Sequence, residues 1–94
     1  MKYYCPKKWY RNVAGARPCA EDVITDVLLQ ESAPYHTEEA IQRKWTGGYP
    51  ARDWRWGLNG TSGDIEFFRV RKRTPQLVEN PHVHVHEMLE SGEG

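Results

Sequence analysis

The stretch from Arg52 to Arg73 limits the fold more than any other, because two aromatic, basic runs flank a glycine-rich turn. Trp54 and Trp56 lie in the first run; Ile65, Phe67, Phe68 and Val70 lie in the second. Between them, Gly57 to Asp64 concentrates turn formers and contains Asn59 followed by Gly60. Asn-Gly between two β-prone runs is a strong hairpin signal, since both residues accept positive φ at low cost. The pattern predicts a hairpin over 52–73 with the core built against it. Alternation along the second run would put Ile65 and Phe67 on one face, and Phe68 and Val70 on the other.

Helices are the expected cover for this sheet. Ala20, Val23, Ile24, Val27 and Leu28 recur at three- and four-residue spacing, which predicts a helix over about 20–31. Glu21 and Asp22 then fall in its first turn, where negative charge meets the positive end of the helix dipole. Pro34 ends the pattern, and Thr37 would cap a second helix over 38–45 that places Ile41 and Trp45 on one face. Gly47 and Gly48 supply its stop. Lys2 to Tyr10 reads as extended, interrupted by Pro6, which lacks the donor a central strand needs. The fold class expected is α+β: a small antiparallel sheet centred on the 52–73 hairpin, packed against two helices. One domain over 1–90 is expected, with 91–94 a frayed end.

Charge is distributed in blocks although the formal net charge is zero. Residues 1–17 carry five basic groups and no acid; residues 20–40 carry six acids and no Lys or Arg. From Arg43 to Arg73 eight basic groups face three acids, and ten of the eleven aromatic residues lie in the two basic blocks. Such segregation lets blocks pair inside the fold or present a two-signed surface to a partner. No apolar run reaches the ~20 residues of a membrane span, and Met1 to Tyr10 lacks the apolar core of a signal peptide. A cytoplasmic setting is the default expectation, with Cys5 and Cys19 as free thiols.

A recurring segment of small tailed-bacteriophage proteins provides a partial likeness. Trp54-Arg55-Trp56, a Gly/Asn/Ser turn and Gly63-Asp64-Ile65-Glu66-Phe67-Phe68-Arg69-Val70 resemble a tryptophan, a turn and the run G-D-I-I-A-Y-R-V of those proteins. Trp45-Thr46-Gly47-Gly48-Tyr49-Pro50 is similar to their W-x-G-G-x-C-P, without the cysteine. The chain lacks most of the stretch that separates these two motifs in the phage proteins. The resemblance implies an accessory protein of a phage or prophage and transfers no catalytic residues.

Three clusters could carry function. Trp54, Arg55, Trp56, Arg69, Arg71, Lys72 and Arg73 combine aromatic faces with guanidinium groups, the residue types most often found at binding hot spots. The same set could neutralise phosphates and stack on unpaired bases, although zero net charge weighs against a general nucleic-acid binder. The plainer explanation is that the tryptophans are core and the arginines pair with the acidic block. His82, His84 and His86 would share one face of a strand and could ligate zinc, copper or nickel with Glu87 or solvent; an edge strand with solvated histidines is the simpler alternative. The acidic residues of 21–39 could imitate phosphates, but dipole compensation explains most of them.

Enzyme signatures are not evident: no nucleophile elbow, P-loop or zinc-protease helix occurs, and the Gly57–Gly63 loop lies between strand-like runs rather than before a helix. The expectation is a non-enzymatic phage or prophage protein without a cofactor that binds a host macromolecule. A host protein is the leading partner, a nucleic acid the alternative, and a metal through the histidine cluster the second alternative.

Overall fold

A computed structural model describes residues 2–30 and 45–83. Seven strands run in chain order: β1 Tyr3–Tyr4, β2 Trp9–Arg11, β3 Ile24–Leu29, β4 Thr46–Pro50, β5 Ile65–Val70, β6 Thr74–Pro75 and β7 His82–Val83. Five of them form one antiparallel sheet in the order β4-β3-β5-β2-β7, and β1 pairs with β6 in a second sheet. Among the described residues no helix reaches seven residues, and a 3-10 turn over Ala51–Asp53 follows β4. The α+β expectation is therefore wrong; the described chain is all-β.

The segment expected to be a helix over 20–31 contains β3 instead. Val23, Ile24 and Thr25 are consecutive β-branched residues, which fit a pleated surface better than a helix. The three- and four-residue spacing of Ala20, Val23, Ile24, Val27 and Leu28 is ambiguous because β3 is buried on both faces. Val27 packs in one cluster with Tyr10 and Phe68, whereas Leu28 packs in another with Trp9 and Phe67. A strand buried on both sides shows a nearly continuous apolar run, not an alternating one. Of the second expected helix, residues 38–44 lie outside the described residues, and Trp45 leads non-helically into β4.

The 52–73 hairpin does not form either. Its second run is β5, but the partners of β5 are β3 on one side and β2 on the other. The first run forms no strand: Ala51 N–H donates to Val23 O and Arg52 N–H to Glu21 O, tying the 3-10 turn to the segment before β3. A turn does form where the sequence places one. The Asp64 carboxylate accepts from Asn59 N–H, Gly60 N–H and the Thr61 hydroxyl at 2.9, 2.9 and 3.0 Å. Gly60 takes φ 75° there. The turn closes on itself and delivers the chain to the middle of the sheet.

A register shift between Leu28 and Leu29 corrects the expected faces of β5. Leu28 opposes Phe67 and Leu29 opposes Ile65, so Glu66 is the extra residue of a bulge. Ile65 consequently joins Phe68 and Val70 in the larger core cluster, while Phe67 belongs to the smaller one.

Tyr4 connects the two sheets. Its ring meets Tyr10 and Phe68 edge-on at centroid distances of 4.8 and 5.1 Å, and Trp56 meets Phe68 edge-on at 5.4 Å. Such pairs add about 0.5–1.5 kcal/mol each beyond their buried area. The Tyr4 hydroxyl donates to Val78 O and accepts from Asn80 Nδ2, whose own Oδ1 accepts from the backbone of Val13 and Ala14. Long-range polar bonds thus fix loops that no periodic pattern announces.

Candidate functional site

The charged centre of the fold is Asp26 on β3, 1% exposed and opposite Arg69 of β5 in the strand register. Arg69 Nη2 lies 3.1 Å from Asp26 Oδ2, and Arg71 Nη2 lies 2.9 Å from Oδ1. Gly48 N–H also donates to Oδ1 at 3.1 Å. A buried carboxylate needs this degree of partnering, because an unpaired charge inside a protein is strongly unfavourable. The acidic block and the second basic block therefore pair within the sheet, and the pairing accounts for part of the charge segregation.

Arg69 is held from both sides. Its guanidinium carbon lies 4.6 Å from the centroid of the Trp9 ring and 5.0 Å from that of Trp45, and its side chain is only 17% exposed. Cation–π contacts of this kind contribute about 0.5–2 kcal/mol as the site is desolvated. Gly47 makes the close approach of β4 feasible, since a side chain there would run into Asp26. Gly48 beside it takes φ 84°, which glycine adopts without strain.

Beyond β5 the chain turns through Arg71, Lys72 and Arg73 into β6, with the Thr74 hydroxyl donating to Lys72 O at 2.6 Å. The guanidinium of Arg73 covers the Tyr3 ring at 4.1 Å. These three cations line a groove of about 430 Å³ together with Val23, Ile24 and Pro75, and Asp22 is the one carboxylate among its described lining residues. Ile24 is an exposed large apolar side chain, and Arg71 is 49% exposed despite its bond to Asp26. The arrangement is chemically a cationic ridge beside an apolar trough.

The seven residues singled out from sequence do not form one surface. Arg69, Arg71, Lys72 and Arg73 gather at the end of β5; Arg69 and Arg71 both pair with Asp26, and Arg69 is the less exposed of the two. Trp56 is 5% exposed and donates its indole N–H to Ala51 O at 2.8 Å, so it is a core residue. Trp54 is half-buried against the same core and meets Tyr49 edge-on at 5.6 Å. Arg55 is exposed and borders neither this groove nor the hollow beside Arg69. Asp22, Val23, Ile24, Thr74 and Pro75 were missed. The helix expectation concealed the first three, and only the Thr-Pro after the basic run hinted at the last two.

His82 lies in β7 with its ring 5.7 Å from that of Tyr10; His84 and His86 lie outside the described residues. Among the described residues no group of three or more His, Cys, Asp or Glu side chains could hold a metal ion. No helix among them is long and apolar enough to cross a membrane. Cys5 and Cys19 are unbridged.

The groups with shifted acidity lie in the core and in the turn. Burial pushes the Tyr4 hydroxyl up to about 12, against the opposing hydrogen bond from Asn80. Burial likewise raises the Cys19 thiol to about 11, with Arg17 acting in the other direction. Desolvation acts to raise Asp64, but hydrogen bonds from Thr61, Gly60 and Asn59 outweigh it and hold the carboxyl below its ordinary range. Each shift has a structural cause in packing or turn closure. No family model, curated protein or solved structure matches the chain.

Proposed function

We propose that this protein is a binding module that receives an acidic, partly apolar segment of a partner protein in the groove between residues 22–24 and 71–75. The observation that carries this reading is that Arg71, Lys72 and Arg73 line one groove with Val23, Ile24 and Pro75. A carboxylate on the segment would meet the ridge while an apolar neighbour covers the trough, which combines charge complementarity with apolar burial. In the phage or prophage setting that the sequence resembles, the segment would belong to a host protein whose activity the binding modulates.

Nucleic acid fits the site less well. The tryptophans that would stack on bases are engaged elsewhere, Trp56 in the core and Trp54 half-buried on it. A floor of aliphatic side chains offers bases no aromatic platform.

The test is titration with a labelled peptide alternating Glu and Leu, read by anisotropy and by amide shifts in the ¹⁵N spectrum. Shifts should map to Ile24 and to Arg71 through Thr74, and the double variant Lys72→Glu/Arg73→Glu should weaken binding at least about tenfold. Tighter binding of a single-stranded oligonucleotide than of the peptide, or an unchanged affinity in the double variant, would refute the reading.

A further inference from the structure

A second hollow, lined by Pro6, Lys7, Asp26, Arg69, Val70 and Arg71, encloses about 290 Å³. Among the described residues three cations line it against one carboxylate. Asp26 offsets one of these cations, and its oxygens accept from Arg69, Arg71 and Gly48. Its effect is to align the guanidinium groups, and the rings of Trp9 and Trp45 hold Arg69 in that orientation.

The backbone supplies a second observation. Lys7 has φ 69° and is the only non-glycine residue at positive φ among those described. It follows Pro6 in the turn between β1 and β2. Proline followed by positive φ is a type II turn pattern, in which Gly or Asn fills the second position with less strain. A lysine at positive φ lining a cationic hollow fits the tendency of such outliers to cluster at ligand sites.

We propose that Lys7, Arg69 and Arg71 form a site for a tetrahedral oxyanion, either free phosphate or a phosphate monoester. An anionic group matches the positive balance of this described lining. Lys7 lines the hollow from the turn after β1, Arg69 from β5 and Arg71 from the turn after it, so cations from three segments border one space, as a multiply charged oxyanion requires. The site stands independently of the groove reading, with Arg71 the one residue common to both hollows.

The experiment titrates the full chain with inorganic phosphate and, separately, with capped phosphoserine, both at a constant ionic strength of about 0.15 M. Binding is followed by tryptophan fluorescence and by the indole N–H resonances of Trp9 and Trp45, the rings that flank Arg69. A saturable change is expected in which Lys7→Gly weakens binding about tenfold, the loss of one charge-assisted contact. Glycine adopts the positive φ without strain, so Lys7→Gly retains the turn, and a thermal melt run alongside verifies the fold. Lys8→Ala removes a neighbouring charge outside the hollow and should alter affinity by less than about twofold. Tighter binding of phosphoserine would assign the site to a phosphorylated side chain, and tighter binding of inorganic phosphate to the free ion; either supports the pocket. No saturable change with either probe, or equal losses in the Lys7 and Lys8 variants, would overturn it.

Discussion

Replacing Gly47 with alanine places a methyl group against the most tightly packed point of the five-stranded sheet. Its Cβ would lie 2.6 Å from Asp26 Cα and 2.6 Å from Asp26 Cγ. Favourable carbon–carbon contacts lie at about 3.5–4.0 Å, so relief requires β3 and β4 to separate by about 1 Å. Rotating the Asp26 side chain does not provide it, because one of the clashing atoms is backbone. Separation would also pull Gly48 N–H from Asp26 Oδ1, a bond now 3.1 Å long. Overpacking costs about 1–3 kcal/mol, and a lost hydrogen bond to a charged group about 1.5–3 kcal/mol. The two effects overlap, and a total near 3–5 kcal/mol is expected, a large share of the roughly 5–14 kcal/mol that a domain of this size holds.

Equilibrium urea unfolding measures this directly. With a slope of about 1–1.5 kcal/mol/M, the midpoint should fall by at least about 2 M. Gly60→Ala is the matched control: Gly60 has φ 75° but nothing within 4 Å of its added methyl, so only the backbone penalty applies. That penalty is about 1–2 kcal/mol. The steric argument is wrong if Gly47→Ala costs less than Gly60→Ala.

Three further outcomes are expected. Asp26→Asn leaves the Arg69 and Arg71 guanidinium groups without their shared carboxylate and should destabilise by about 3–5 kcal/mol in the same assay; a loss under about 1 kcal/mol would mean that the pair contributes little. The Tyr4 hydroxyl, pushed up to about 12, favours the neutral form in the fold, so its stabilising contribution is intact below the ordinary value of 10.0 and declines as pH rises toward 12. Ultraviolet titration should show a late-ionising tyrosine that Tyr4→Phe removes, and normal titration of every tyrosine would contradict this. In the native protein Cys5 should react with a thiol reagent first and Cys19, fully buried with its thiol raised to about 11, only on unfolding; equal rates for the two would refute that burial.

How much of this was legible beforehand varies by element. The interruption at Pro6 and the strand beginning at Ile65 follow local rules, and the structure has both, whereas the hydrogen-bonded turn falls at Ser62–Gly63, just after the Asn59-Gly60 pair. The partner of that strand was not legible, because the pairing of β5 with β2 and β3 joins segments dozens of residues apart. The helix expected over 20–31 failed at Asp26. On a helix this residue reads as a solvated acid, whereas in β3 it is buried under two arginines that lie far along the chain.

Sequence alone determined an aromatic-rich supply of core side chains, charge blocks able to pair with one another, and a turn-forming stretch before Ile65. Tertiary structure alone decided that Trp56 is core rather than contact surface, that Arg69 and Arg71 share Asp26, and that Arg71, Lys72 and Arg73 border a groove with Val23 and Ile24. The reason is physical. Turn chemistry and residue preference act over a few neighbouring residues, whereas the site depends on which distant strands lie side by side, and that is set by the cooperative burial of the whole sheet.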